Sequence, residues 1–167
     1  WQDIHDSTSD VTGANFITAT GGTILTCGNF KTHIFTADGC FSVSCAGNPA
    51  GSTTIDYFVI AGGVSSSGDN GGGGGAGGFR ISNSYSIPAP TMSPLASPTG
   101  LTAAIQTYPI TVGAGGASGG TATSASGPPG SNSVFSTITS AGGGAAAGYP
   151  SVVAGNGGSG GGGFKIT

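Results

Sequence analysis

Charge is what this chain has least of. Nine of its 167 residues are charged: three bases and six acids, giving a net charge of −3. The acids are all aspartate (Asp3, Asp6, Asp10, Asp38, Asp56, Asp69), and the bases are Lys31, Arg80 and Lys165. A phosphate-binding surface needs clustered Lys and Arg, so three scattered bases exclude a nucleic-acid partner. Long hydrophobic runs are missing too. No apolar stretch approaches the roughly 18 residues that mark a membrane-spanning helix, and no membrane span is expected. No segment carries the 3.6-residue apolar period of an amphipathic helix; "GLTAAIQ" (100–106) offers at most a turn or two. Asn-x-Ser/Thr acceptors for sugar are also lacking.

The chain is instead rich in glycine, with 36 residues. Disordered chains combine low hydrophobicity with high net charge. Here 36% of residues are apolar and charge is almost absent, so an ordered, weakly solvated domain is expected, better suited to a large assembly than to a free monomer. The sequence opens at Trp1, where translation does not start, so either the sequence is incomplete or a leader has been cleaved, and a removed secretion signal is the expectation. Three cysteines and many Ser and Thr residues agree with an extracellular location.

Residues 1–15, "WQDIHDSTSDVTGAN", form a polar arm with isolated apolar residues. A single domain follows over 16–167, with a β-rich part (16–61) and a glycine-tract part (62–167). Gly28-Asn29 and Asp38-Gly39 are strong two-residue hairpin signals. They predict a three-strand meander over 22–45, pairing 27 with 30 and 37 with 40. "DYFVIAG" carries Tyr57, Phe58, Val59 and Ile60 in a row, which predicts a strand covered on both faces. "GFRIS", "TYPITV", "SVFSTIT" and "GFKIT" read as further short strands between glycine tracts at 71–78, 113–120, 142–148 and 155–163. Residues 87–100 hold four prolines and read as a loop or extended edge.

In that meander Cys27 and Cys45 share a face, while Cys40 falls on the other. If one bridge forms it is Cys27–Cys45. The strand between them leaves roughly 10 Å across a flat sheet, so the outer strands must fold over. Three reduced thiols are the alternative.

Ordering a nine-glycine tract costs on the order of 10–15 kcal/mol, and no side chain offsets that. Either the tracts stay flexible, or they pack side by side as extended threefold helices. Packed helices bond through sideways N–H and C=O groups, each bond worth roughly 0.5–1.5 kcal/mol net. Flexible linkers join domains. These tracts alternate with apolar strands inside one domain, which favours packing.

The chemical motifs are weak. "GASGG" (116–120) and "GGSGG" (157–161) match G-x-S-x-G, but neither leads into a helix, and only His5 and His33 could serve as a base. Gly72, Gly74 and Gly77 match G-x-G-x-x-G, again without a following helix. "DIHD" sets Asp3, His5 and Asp6 close together, and a solvated polar segment is the simpler reading than a metal site. His33 reads as a packed or half-exposed strand residue. The chain is not expected to be an enzyme or to need a cofactor or metal.

The stretches "GGTI" (21–24), "FKTHIFT" (30–36), "DYFVIAGG" (56–63), "GGAGGFR" (74–80), "YPITVGAGG" (108–116) and "GSNSVFSTITSAGGG" (130–144) run in order through the chain. Together they resemble a glycine-rich domain found in predicted bacterial, environmental and phage tail-fibre or surface proteins. The resemblance implies β-sandwich domains with glycine-rich extensions and an extracellular fibre or surface role. It departs at "VSSSGDN", at the short C-terminal tract, and in the arm, which lies outside it.

The expected fold is therefore all-β: an immunoglobulin-like β-sandwich with polyglycine-II-like segments and an N-terminal donor arm. Two functions follow. One is a subunit of an extracellular filament, a homopolymer in which each arm docks into another copy through Trp1, Ile4, Val11, Phe16 and Ile17, as in donor-strand-exchange pili. The other is a receptor-binding tip domain of a phage or bacterial fibre, with a cell-surface receptor or glycan as its partner.

Overall fold

The computed structural model describes residues 13–68, 71–82, 95–117, 127–148 and 153–163. Among them every regular element is a strand: β1 Ile17–Thr20, β2 Thr23–Cys27, β3 Phe30–Ile34, β4 Gly39–Ala46, β5 Thr54–Ile55, β6 Phe58–Ile60, β7 Phe79–Ile81, β8 Leu101–Thr102, β9 Thr107–Thr111, β10 Ser133–Phe135 and β11 Ile138–Ser140. The main sheet has five antiparallel strands in the order β1-β4-β9-β10-β11, and β2–β3, β5–β8 and β6–β7 form three separate pairs.

Alternation in β4 builds the core. Phe41 and Val43 are buried while Ser44 between Val43 and Cys45 is exposed, and Ala19, Tyr108 and Phe135 join them from neighbouring strands. Phe135 meets Phe41 edge-on at 6.0 Å between ring centroids, and Tyr108 at 5.7 Å. Ile55, Tyr57, Val59 and Leu101, from β5, β6, β8 and the β5–β6 link, cover this cluster. The small pairs thus form an incomplete second layer, and the fold is all-β and sandwich-like. Thr18 pairs with Cys45 but Ala19 pairs with Val43, so Ser44 is the extra residue of a β-bulge.

The Gly28-Asn29 hairpin forms in the predicted register, with Cys27 opposite Phe30. Gly28 has φ 55°, the left-handed first position that a type II′ turn requires. The Asp38-Gly39 hairpin does not form. Gly39 pairs instead with Ile110 of β9, and the Asp38 carboxylate accepts the Val112 N–H at 2.8 Å. A distant strand thus outcompetes the local turn, and the three-strand meander is corrected to a hairpin plus a central sheet strand. "SVFSTIT" is likewise a hairpin, β10–β11, turning at Ser136 with φ 55°. The Tyr57–Ile60 run is covered on one face only: Tyr57 and Val59 pack on the core, while Phe58 and Ile60 are 60% and 56% exposed. Leu101 and Thr102 of "GLTAAIQ" are strand, not helix.

Candidate functional site

Two features stand out: a bundle of glycine-rich segments, and the clamp around Gly13–Asn15 that precedes β1.

The tracts are packed. Along 71–78 the N–H groups of Gly72, Gly75 and Gly78 donate to the carbonyls of Ala147, Gly144 and Ala141, at 3.1, 3.0 and 2.8 Å. The carbonyls of the same three glycines accept from Ser67, Val64 and Ala61. A period of three on both sides is the signature of threefold extended helices lying antiparallel. On a third side, the carbonyls of Gly73 and Ala76 accept from Gly162 and Ser159. Residues 141–148 are largely buried. Gly155 and Gly158 donate to Ala145 and Gly142 in antiparallel sense, and after the bend at 157–159 the chain runs parallel, with Gly144 and Ala147 donating to Ser159 and Gly162. The segments at 113–117 and 127–131 join through Ser131 to Ala114, Gly116 to Gly63 and Gly130 to Gly143.

Close approach, not turn geometry, explains the glycines. Only Gly21, Gly22, Gly28 and Gly47 have φ > 0 among the described glycines, and none of these is in the bundle. A Cβ built on Gly75 would fall onto the Ser159 carbonyl oxygen and within 2.7 Å of the Gly144 nitrogen. Cβ atoms on Gly143 and Gly158 would strike the Gly75 carbonyl and the Gly78 nitrogen.

The first described residues, Gly13–Asn15, are held in a clamp just before β1. Asn48-Pro49-Ala50-Gly51 is a β-turn closed by Gly51 N–H to Asn48 C=O at 3.0 Å. The Asn48 side chain accepts the Asn15 and Gly51 N–H groups at 3.0 and 2.9 Å and donates to the Gly13 carbonyl at 2.7 Å. The Asn15 carbonyl in turn accepts from the backbones of Asn48 and Ser52. Replacing Asn48 with Ala strips three bonds and is expected to cost about 1–3 kcal/mol. The check is a chemical denaturation midpoint shifted down with an unchanged slope. The turn's capping role had no motif to announce it beyond "NPAG".

Of the proposed arm residues, Trp1, Ile4 and Val11 lie outside the described residues, as does the "DIHD" stretch. Phe16 is 62% exposed. Ile17 pairs with Ala46 of its own chain, so strand pairing inside the domain begins at Ile17. Cys27, Cys40 and Cys45 are all free thiols. Cys27 lies in the β2–β3 pair and Cys45 in the main sheet, where it faces Thr18. The shared face on which the Cys27–Cys45 bridge was predicted required β3 beside β4, and that pairing is not made. His33 is half-buried; its Nδ1 lies 2.8 Å from the Gly21 carbonyl and its ring stands edge-on to Phe41 at 4.9 Å.

Ser159, from one G-x-S-x-G match, is a bundle residue whose hydroxyl accepts the Ala76 N–H at 2.8 Å; Ser118 of the other lies outside the described residues. Gly72, Gly74 and Gly77 are likewise inside the bundle, backed by Gly162, Val64 and Ala61. No helix among the described residues is long and apolar enough to cross a membrane.

A family model described as a glycine-rich domain matches residues 36–167. No curated protein and no solved structure matches the chain.

Proposed function

We propose that the chain, which belongs to the glycine-rich domain family, is the structural subunit of an extracellular, pilus-like helical filament, assembled by strand exchange through its N-terminal arm. The observation that carries this reading is the number of strand edges left open. Among the described residues the main sheet ends in β1, and β2–β3, β5–β8 and β6–β7 have no third strand. Edge N–H and C=O groups are templates for a strand from elsewhere. The clamp holds Gly13–Asn15 next to β1, directly after residues 1–12 in the sequence, and the glycine bundle supplies a stiff body with little charge to repel neighbouring copies. In this reading the partners are further copies of the chain, and it has no catalytic site and no cofactor.

One observation favours the second reading, a receptor-binding fibre tip. The outer face of β6–β7 exposes Phe58, Ile60 and Phe79, with the two rings 5.9 Å apart, and exposed apolar patches mark interaction sites. Negative-stain microscopy of the purified chain separates the two. Fibres of uniform diameter are expected from a filament subunit, and dispersed single particles from a tip domain.

A further inference from the structure

The β2–β3 hairpin is the most exposed regular element of the described chain: every residue of β2 and four of five in β3 are exposed. Two-stranded hairpins are at best marginally stable alone in water. Its register divides its side chains cleanly. Thr23, Leu25, Cys27, Phe30, Thr32 and Ile34 share one face; Ile24, Thr26, Lys31 and His33 share the other. His33 turns the second face towards the body, through Gly21 and Phe41. The first face is directed away from it. That face is uncharged, and Leu25 and Ile34 on it are 54% and 40% exposed.

The edge of β3 has matching geometry. A two-residue turn makes Cys27 and Phe30 a hydrogen-bonded pair, so bonded pairs recur at 25 with 32 and 23 with 34. The backbone N–H and C=O of Lys31 and His33 therefore face the outer edge, where an added strand finds them. Among the described residues no third strand lies there.

We infer that this hairpin receives residues 1–12 of a neighbouring copy, an inference that rests on the filament reading and names its docking site. Three observations select that occupant. The first is placement. Residues 13–17, which follow the arm in sequence, are held beside Ala46–Ser52, whereas the hairpin hangs from Gly21 and Gly22 beside Cys40 and Ile34. The length of β4 separates donor from receiver, so the contact is head-to-tail and propagates as an open chain. The second is length: twelve extended residues reach about 40 Å, enough to leave one copy and cross β3 of the next. The third is charge. The arm carries Asp3, Asp6 and Asp10 and neither Lys nor Arg, and the hairpin carries Lys31 and no acid. In an extended arm Trp1 and Val11 fall on one face and Ile4, Asp6 and Asp10 on the other. Laid along β3, the first set continues the Leu25–Ile34 face and the second continues the Lys31 face; Asp3 alone of the acids shares the Trp1 side.

The test is zero-length carbodiimide cross-linking of filaments grown from equal amounts of 15N-labelled and unlabelled chains, read by mass spectrometry. Lys31 is expected to join Asp3, Asp6 or Asp10, with mixed-isotope pairs as abundant as the two unmixed kinds together. In parallel, Leu25→Asp, at an exposed position, is expected to leave a folded chain that no longer polymerises. Cross-links between Lys31 and the arm in unmixed pairs only, arm cross-links confined to other parts of the domain, or normal polymers from the Leu25→Asp chain each overturn the docking site. Those outcomes leave the filament reading standing as long as polymers need the arm; polymers that form without the arm remove that reading itself.

Discussion

Gly75→Ala is expected to destabilise the domain by about 3 kcal/mol or more, one methyl group notwithstanding. The new Cβ meets the Ser159 carbonyl oxygen, the Gly144 nitrogen at 2.7 Å and the Gly160 carbonyl at 3.0 Å. All three belong to backbone, so no flexible side chain can swing away. The neighbours must separate, and that strains the Gly75 N–H bond to Gly144 and the Val64 N–H bond to Gly75, both 3.0 Å. For a domain of this size the thermal midpoint should fall by about 6–12 °C. Gly73→Ala is the control two residues away. A Cβ there meets nothing within 4 Å, and its φ is not in the left-handed range. Removing glycine's freedom from the unfolded chain should leave stability unchanged or raise it by up to about 1 kcal/mol. Calorimetry on the pair is decisive. Equal tolerance at both positions would mean that the tracts are not in register with one another.

Deleting residues 1–12 is expected to abolish polymers while leaving a folded, soluble monomer. The clamp at Gly13–Asn15 and the strand from Ile17 onward are untouched by that cut, so the core keeps its contacts. On the filament reading, what is lost is a strand for the neighbour: each ladder bond is worth roughly 0.5–1.5 kcal/mol net, and burying an apolar anchor adds about 1.5–3 kcal/mol. The arm supplied as a free peptide should raise the monomer's thermal midpoint and restore no fibres, because a peptide fills the receiving edge without linking copies. Analytical ultracentrifugation and electron microscopy read both effects. Fibres of normal dimensions from the shortened chain would show that the arm is not the connector.

Legibility of the fold from sequence followed the range of the interaction. The Gly28-Asn29 hairpin needs only four adjacent residues, and its register was readable outright. Asp38-Gly39 carries an equally good local signal, yet Gly39 pairs with the distant Ile110, and nothing near residue 39 announces that partner. Ser136 turns β10 into β11 without a Gly or Asn to mark it. The Tyr57–Ile60 run misled for another reason: an apolar strand can be covered on both faces or leave one face open, and periodicity is the same for both.

The glycine bundle divides similarly. That the tracts pack could be argued from their interleaving with apolar strands. Which tract meets which could not. Register in sheets is set by side-chain patterns, and glycine has none, so the antiparallel pairing of 61–67 with 71–78 and the parallel pairing of 144–147 with 159–162 have no sequence signature. On the candidate surface, the alternation of Leu25, Cys27, Phe30 and Ile34 was legible once the turn was placed. The Asn48 clamp depends on Asn15, a contact 33 positions distant, and was not.

The most direct test of the bundle is residue-resolved amide exchange along 71–78. Gly72, Gly75 and Gly78 donate to the buried neighbour at 141–148, so their amides should exchange slowly. Gly73, Gly74 and Gly77 donate to no partner among the described residues and should exchange faster than these three, while Gly71 and Ala76, bonded to the Gly68 carbonyl and the Ser159 hydroxyl, add protection of their own. Uniform exchange at the rate of a free peptide would contradict the account.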